Sequence, residues 1–127
     1  MKLSKTQRLE LKKMFGGRCA YCGEILNDRF HADHVEAIYR DKYYPSGMFK
    51  PHHDTIDNLF PSCAPCNLFK MTYNIEQFRY ELKMQTERAK RSSNNYRTAL
   101  RFGAIVETQK PIVFYFETYL QNVSESK

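Results

Sequence analysis

Two Cys-x-x-Cys pairs constrain the fold of this chain more than any other feature. Cys19 and Cys22 form the first pair, Cys63 and Cys66 form the second, and 40 residues separate the pairs. The two sulfur atoms of such a pair converge on one side of a tight turn, and two pairs complete a closed tetrahedral zinc site with four thiolate ligands. Redox-active pairs or two local disulfides are the alternatives, but zinc accounts for all four cysteines together. We therefore expect one structural Zn²⁺ per chain.

The size and charge of the chain limit its class. Its 127 residues predict one domain, 1–127, that a metal staple would help to stabilise. The formal charge of +6, from 20 Lys and Arg against 14 Asp and Glu, suits a polyphosphate partner without requiring one. The sequence contains neither a membrane-spanning run nor a signal-peptide core. We therefore expect a cytoplasmic protein with no membrane partner.

Hydrophobic periodicity and capping residues predict mostly helical flanks. Ser4 and Gln7 form a capping-box pattern that opens a helix. Alternating side chains favour a strand over 29–35, and Asn74 opens a longer helix. Further predictions are a helix from the second cysteine pair to about 72, a short basic helix over 95–102, and a C-terminal hairpin of strands at 104–107 and 112–118. The flanking helices and hairpin thus occupy about 75–120.

A second group of polar residues lies between and beside the cysteine pairs. His31-Ala32-Asp33-His34 ends the predicted strand, Asn58 follows 24 residues after His34, and Asn67 comes directly after the last cysteine. Together with the cysteine pairs, this pattern over 18–70 resembles the HNH endonucleases, also called His-Me finger nucleases. In the zinc-stapled members of that family, Cys-x-x-Cys pairs bracket a ββα-metal unit. The resemblance implies an α+β fold with a ββα-metal core, a four-cysteine zinc site and flanking helices.

One position departs from the usual family pattern. The residue after the last cysteine is Asn67, where the family usually has histidine, which makes the site an HNN variant similar to that of the phage Holliday-junction resolvase. An amide oxygen is a hard ligand, suited to Mg²⁺ or Mn²⁺. The interval from His34 to Asn58 is also longer than is usual in the family, so we expect an insertion around 39–53.

The resemblance assigns a role to each of four residues. Cleavage of a phosphodiester needs a base for water and a cation for developing charge. His34 would be the base, since a free imidazole titrates near pH 6.5. Asp33 and Asn67 would hold a catalytic Mg²⁺ or Mn²⁺, while Asn58 would orient His34 or fix the loop. Asn58 as a plain turn residue, and Asn67 as a helix N-cap, are the structural alternatives.

The resemblance makes DNA the expected partner. His31 would contact the scissile phosphate or make a buried hydrogen bond, and Arg97 and Arg101 would meet phosphates or remain a solvated helix face. The predicted function is metal-dependent DNA endonuclease, as a nickase or a double-strand cutter in a bacterial or phage-infected cell. A branched-DNA resolvase and a non-catalytic zinc-stapled DNA-binding module are the alternatives. The sequence leaves monomer and homodimer both open.

Overall fold

A computed structural model of the chain describes residues 2–36, 39–40, 48–49 and 54–125. The chain divides into two compact units, one of residues 1–75 with 113–127 and the other of residues 76–112. Each unit contains its own helices, and the paired strands belong to the first. The described helices and strands, in chain order, are α1 (Lys5–Lys13), β1 (His31–His34), β2 (Tyr39–Arg40), β3 (Met48–Phe49), a 3-10 turn (Ile56–Asn58), β4 (Leu59–Ser62), α2 (Ala64–Lys70), α3 (Ile75–Lys83), α4 (Gln85–Ser92), α5 (Asn94–Arg101) and α6 (Tyr115–Glu125).

The capping box predicted at the start of α1 is present. The Ser4 hydroxyl accepts a hydrogen bond from the Gln7 backbone, and the Gln7 side chain accepts one from the Ser4 backbone, at 3.1 and 2.9 Å. The chain leaves the helix through Gly16 and Gly17, whose φ angles of 70° and 82° favour glycine. Both ends of α1 are therefore explained by local sequence.

A short sheet and a helix follow one another in the first unit. β1 pairs antiparallel with β4, so that Asp33 lies opposite Phe60 and His34 lies opposite Leu59. α2 begins directly after β4, with Cys63 as its N-cap and a proline in its first turn. The structure is thus a mixture of helices with a small antiparallel sheet, as the α+β prediction required.

The chain between β1 and β4 includes residues 39–53, where the sequence predicts an insertion. β2 pairs antiparallel with β3, with Tyr39 opposite Phe49. The remainder of the predicted insertion, residues 41–47 and 50–53, lies outside the described residues.

The predicted C-terminal hairpin is wrong. Residues 104–107 and 112–114 form no strand, and α6 begins at Tyr115. The Glu117 side chain accepts a 2.9 Å hydrogen bond from the Phe114 backbone and so caps the helix start. The aromatic side chains of this segment face the core at helical spacing, since Phe116 and Tyr119 both pack against Phe15. The sequence favours a strand here because nearly every residue is apolar, which hides the helical repeat.

An aromatic cluster forms the core next to the sheet. Phe15 from the end of α1 meets Phe60 of β4 edge-on, with ring centroids 5.1 Å apart. Phe116 of α6 lies 4.9 Å from Phe60, and Tyr21 packs against Phe114. The cluster therefore joins α1, β4, α6 and the turn that contains Cys19 and Cys22, which we call the first cysteine turn.

The second unit is helical. The single long helix predicted after Asn74 is two helices, α3 and α4, interrupted at Met84. The predicted basic helix corresponds to α5, where the Ser93 hydroxyl accepts from the Tyr96 backbone at 3.1 Å. No helix in the described ranges is both long and apolar enough to cross a membrane.

Candidate functional site

The four cysteine sulfurs form one cluster. Their Sγ atoms all lie within 4.8 Å of one another, and the Sγ atoms of Cys22 and Cys63 are 3.7 Å apart. A disulfide would need about 2.05 Å. A tetrahedral ion with Zn–S bonds of about 2.3 Å places its ligands about 3.8 Å apart. The cluster therefore fits a tetrahedral metal ion, as the cysteine spacing predicts.

Local turns present the sulfurs to this cluster. The backbone N–H of Cys19 bonds to Glu24, the N–H of Gly23 returns to the Cys19 carbonyl, and the N–H of Tyr21 points at Cys19 Sγ from 3.4 Å. Gly23 has φ of +81°, and a Cβ there would come within 2.9 Å of the Tyr115 ring. Glycine at this position thus permits both the turn and the close approach of α6.

Burial and mutual contacts shift the pKa values of three of the cysteine thiols. A hydrogen bond with Cys66 lowers the pKa of Cys19 to about 4, while the same contact raises the pKa of Cys66. Burial raises the pKa of Cys22 to about 11. Ionisation of Cys22 and Cys66 beside an ionised Cys19 therefore needs a cation among the sulfurs, which is the chemistry of a structural thiolate site.

The carboxylate of Asp33 is buried, and its partners come from the segments that carry the cysteines. Its Oδ2 accepts a 2.5 Å hydrogen bond from the Tyr21 hydroxyl and lies 3.1 Å from Lys70 Nζ. Lys70 is fully buried, and its ammonium also donates to the backbone carbonyl of His34 at 2.9 Å. A tyrosine from the first cysteine turn and a lysine from α2 thus hold the strand that carries Asp33 and His34.

Burial raises the pKa values of both Asp33 and Tyr21. Desolvation raises the pKa of Asp33, and the Lys70 ammonium and Tyr21 hydroxyl act in the opposite direction. Desolvation, reinforced by the Asp33 charge, raises the pKa of Tyr21 above its usual range. Tyr21 therefore remains a hydroxyl donor to Asp33 at any physiological pH.

Asn67 lies on the helix that faces Asp33. Cys63 is the N-cap of α2, so Asn67 is a first-turn residue and not the cap. Residues three apart share a helix face, which places Asn67 on the same side as Lys70. Lys70 contacts Asp33, so Asn67 occupies a position on the α2 face that carries this contact.

His34 has a carboxylate partner 20 residues further along the chain. Its Nε2 lies 2.8 Å from Asp54 Oδ1, and both side chains are mostly buried, with 22% and 12% of their surface exposed. The middle asparagine lies close by: the Asn58 amide accepts from the Glu36 backbone N–H at 2.8 Å and donates to the Glu36 carbonyl at 2.7 Å. Asn58 thus ties down the chain that leaves His34.

The residues predicted to contact DNA lie in different settings. His31 is exposed at the start of β1, opposite Ser62. In the second unit, Arg97 Nη1 donates to the carbonyls of Lys90 and Arg91 at 2.8 and 3.0 Å, which caps the end of α4. Arg101 is exposed and contacts the Thr98 hydroxyl at 3.3 Å.

Three residues of the site were not predicted from the sequence. Tyr21 lies within the first cysteine turn, and Lys70 follows Asn67 by three positions. The sequence therefore places both residues near the predicted site, but it does not indicate that they contact Asp33. Asp54 meets His34 across 20 residues, and no local pattern indicates that pairing. All three contacts join residues that lie 12 or more positions apart in sequence.

Comparison of the chain with protein-family models, with curated proteins and with solved structures returns no match.

Proposed function

We propose that this protein is a metal-dependent DNA endonuclease of the HNH type. The observation that supports it is the order of β1, β4 and α2, in which Lys70 of α2 binds both the Asp33 carboxylate and the His34 backbone. The Asp33 carboxylate therefore faces the helix that carries Asn67, and His34 is the next residue at the end of β1. The resemblance implies a strand, a strand and a helix in this order along the chain, and the order of β1, β4 and α2 supports the proposal.

The donor atoms suit a hard divalent ion. Asp33 Oδ2 is engaged by Tyr21 and Lys70, which leaves Oδ1 and the Asn67 amide oxygen as oxygen ligands for Mg²⁺ or Mn²⁺. Bound there, the ion would neutralise negative charge that develops at a scissile phosphate. Because Lys70 already offsets the charge of Asp33, we expect the ion to bind weakly.

The protein's own side chains would activate the water and hold the DNA. His34 takes a proton from the attacking water, Asn58 keeps the following backbone in place, and basic side chains hold the DNA. The four-cysteine cluster, filled by zinc, would fix the first cysteine turn against α2 and so preserve the contact between Tyr21 and Asp33.

One observation favours a second candidate, the non-catalytic zinc-stapled DNA-binding module. The Lys70 ammonium lies 3.1 Å from the carboxylate that would hold the metal, and two cations at one carboxylate oppose each other. In such a module, Lys70 would simply be a permanent counter-ion for Asp33.

A cleavage assay separates these candidates. Zinc-loaded protein is incubated with supercoiled plasmid, four-way-junction DNA and single-stranded DNA, in Mg²⁺, Mn²⁺ or no added divalent ion. We expect cleavage with Mg²⁺ or Mn²⁺ only, and preference for the junction would identify a resolvase.

His34→Ala provides the matched control for the assay. We expect it to keep zinc, fold and DNA affinity while the cleavage rate falls by about 10²–10⁴-fold, the usual loss for a general base. DNA binding without cleavage by the wild-type protein would support the binding module and contradict the nuclease. Full-rate cleavage by His34→Ala would contradict the assigned base.

A further inference from the structure

An acidic residue faces His34 from the far end of the inserted segment. Asp54 Oδ1 lies 2.8 Å from His34 Nε2, across 20 residues of sequence. Only 12% of the Asp54 side chain and 22% of the His34 side chain are exposed. The contact is therefore a largely shielded hydrogen bond between two chemically reactive groups.

The backbone around this pair is held in place on both sides. The N–H of Val35 donates to the Asn58 carbonyl at 2.9 Å, and the Asn58 amide makes two hydrogen bonds to the Glu36 backbone. The Asn58 N–H in turn donates to the Thr55 carbonyl at 3.1 Å, next to Asp54. The two ends of the insertion are thus joined beside His34, and Asp54 reaches the imidazole from a fixed position.

A carboxylate restricts which nitrogen of the ring carries hydrogen. An ionised carboxylate only accepts, so His34 Nε2 must be the donor of this hydrogen bond. A neutral imidazole has a single N–H, and its other nitrogen then holds the lone pair. In neutral His34 the lone pair therefore lies on Nδ1.

We propose that Asp54 is a positioning residue for His34, which fixes the ring orientation and the tautomer with the proton on Nε2. This inference rests on the proposed nuclease function, in which Nδ1 removes a proton from water. When that proton arrives, both ring nitrogens carry hydrogen, and Asp54 continues to accept from Nε2 throughout the step. Asp54 itself touches neither water nor DNA in this role.

A structural role alone makes different predictions. If Asp54 only fastens the end of the insertion, its removal lowers stability but leaves the tautomer of His34 and the cleavage step unchanged. The tautomer can be measured without DNA or a catalytic ion, from nitrogen-15 NMR spectra of the imidazole in the zinc-loaded full chain. The His34 signals are assigned by their absence in His34→Ala.

The test compares Asp54→Ala with Asp57→Ala, a control that removes an exposed carboxylate three residues further on. For neutral His34 we expect the proton on Nε2 in the wild type and in Asp57→Ala, and a mixture of tautomers in Asp54→Ala. In single-turnover cleavage at saturating DNA and metal, Asp54→Ala should be slower by about tenfold or more, yet less impaired than His34→Ala. DNA affinity should stay within about twofold.

Asp54→Asn keeps the test decisive if the alanine variant does not fold. An amide that accepts from Nε2 preserves the tautomer, and one that donates moves the ring proton to Nδ1, so cleavage should follow the tautomer that the spectra show. The same tautomer in the wild type and in a folded Asp54→Ala, or a changed tautomer with an unchanged rate, overturns the inference. A wild-type protein that cleaves no DNA overturns the proposed function instead, and the spectra still decide whether Asp54 sets the tautomer.

Discussion

The neighbours of the Asp33 carboxylate come from three separate segments of the chain. Tyr21 belongs to the first cysteine turn, Lys70 to α2, and His34 follows Asp33 on β1. Strand alternation predicts that Asp33 and His34 face opposite sides, and the buried carboxylate beside a more exposed imidazole agrees with this. The contacts of Tyr21 with Asp33 and of Lys70 with the His34 backbone span 12 and 36 residues, and spacing rules for strands and helices do not reach that far.

Asn67 is the residue whose substitution tests the proposed catalytic ion most directly. Asn67→Ala removes an oxygen ligand, so we expect a much lower cleavage rate at low Mg²⁺ and partial recovery at high Mg²⁺. Asn67→His should retain activity with a shift towards Ni²⁺ or Co²⁺, because imidazole suits those ions better than an amide does. The measurement is cleavage rate against concentration for each metal.

Asn122→Ala is the control for Asn67, because it removes an exposed amide on α6. It should leave the metal dependence as in the wild type. If Asn67→Ala cleaves at the normal rate in low Mg²⁺, Asn67 is not a ligand of the catalytic ion.

At the scale of helices and strands, prediction succeeded where a local interaction decides the structure. The Ser4 and Gln7 capping box locates α1, and Cys63 with its following proline locates α2. It failed at α6, where residues 112–116 are all apolar or aromatic and no polar position reveals the repeat. The helix there depends on packing against Phe15 and on the Glu117 cap, and the first of these is a tertiary contact.

Lys70 connects β1 to α2, and its loss should weaken that connection. Lys70→Met leaves the Asp33 charge buried without its ammonium, and breaking a buried ion pair costs about 3–5 kcal/mol. The double variant Lys70→Met/Asp33→Asn should regain much of this, since no lone charge remains. Lys83→Met removes an exposed lysine on α3 and should change the free energy of unfolding little.

The effect of Lys70→Met should depend on pH. Burial already raises the pKa of Asp33 above its unfolded value of about 3.9. The folded chain therefore binds this proton more tightly than the unfolded chain, and it loses stability as pH rises from the unfolded pKa to the folded pKa. The Lys70 ammonium lowers the pKa of Asp33, so its removal raises the folded pKa and extends this pH range upward. The difference in unfolding free energy between the wild type and Lys70→Met should therefore grow as pH rises above the unfolded pKa of about 3.9, measured by denaturant titration with zinc present. A constant difference would show that the lysine acts through packing alone.

At the scale of the whole molecule, the cysteine cluster joins parts of the chain that lie far apart in sequence. The cysteine pairs predicted this closure, since 40 residues lie between them and the sulfurs meet. The division into units of residues 1–75 with 113–127 and of residues 76–112 was not predicted, because no linker composition marks either boundary. The division depends on which segments of the chain pack against each other, and the local composition of a sequence does not indicate such packing.

Zinc should be part of the folded protein. We expect one zinc per chain by elemental analysis, and Cys63→Ser should lose it together with several kcal/mol of stability. A loss of that size lowers the Tm of a domain of this length by about 10 °C or more. Ser62→Ala, next to the ligand but without a sulfur, should retain the zinc. No zinc in the wild type, or an unchanged Tm for Cys63→Ser, would contradict a structural metal site.

DNA binding should depend on salt, and the structure separates the two arginines of α5. Each phosphate contact that is lost lowers the slope of log affinity against log salt by about one. Arg101 is exposed and contacts the Thr98 hydroxyl at 3.3 Å, whereas the Arg97 guanidinium donates to two carbonyls at the end of α4. We therefore expect Arg101→Gln to weaken binding and reduce the slope. Arg97→Gln should mainly reduce the helicity and thermal stability of α4 and α5. Titrations of both variants at several salt concentrations, beside thermal melts, measure the two effects, and an unchanged slope for Arg101→Gln would mean that this helix face does not meet the phosphates.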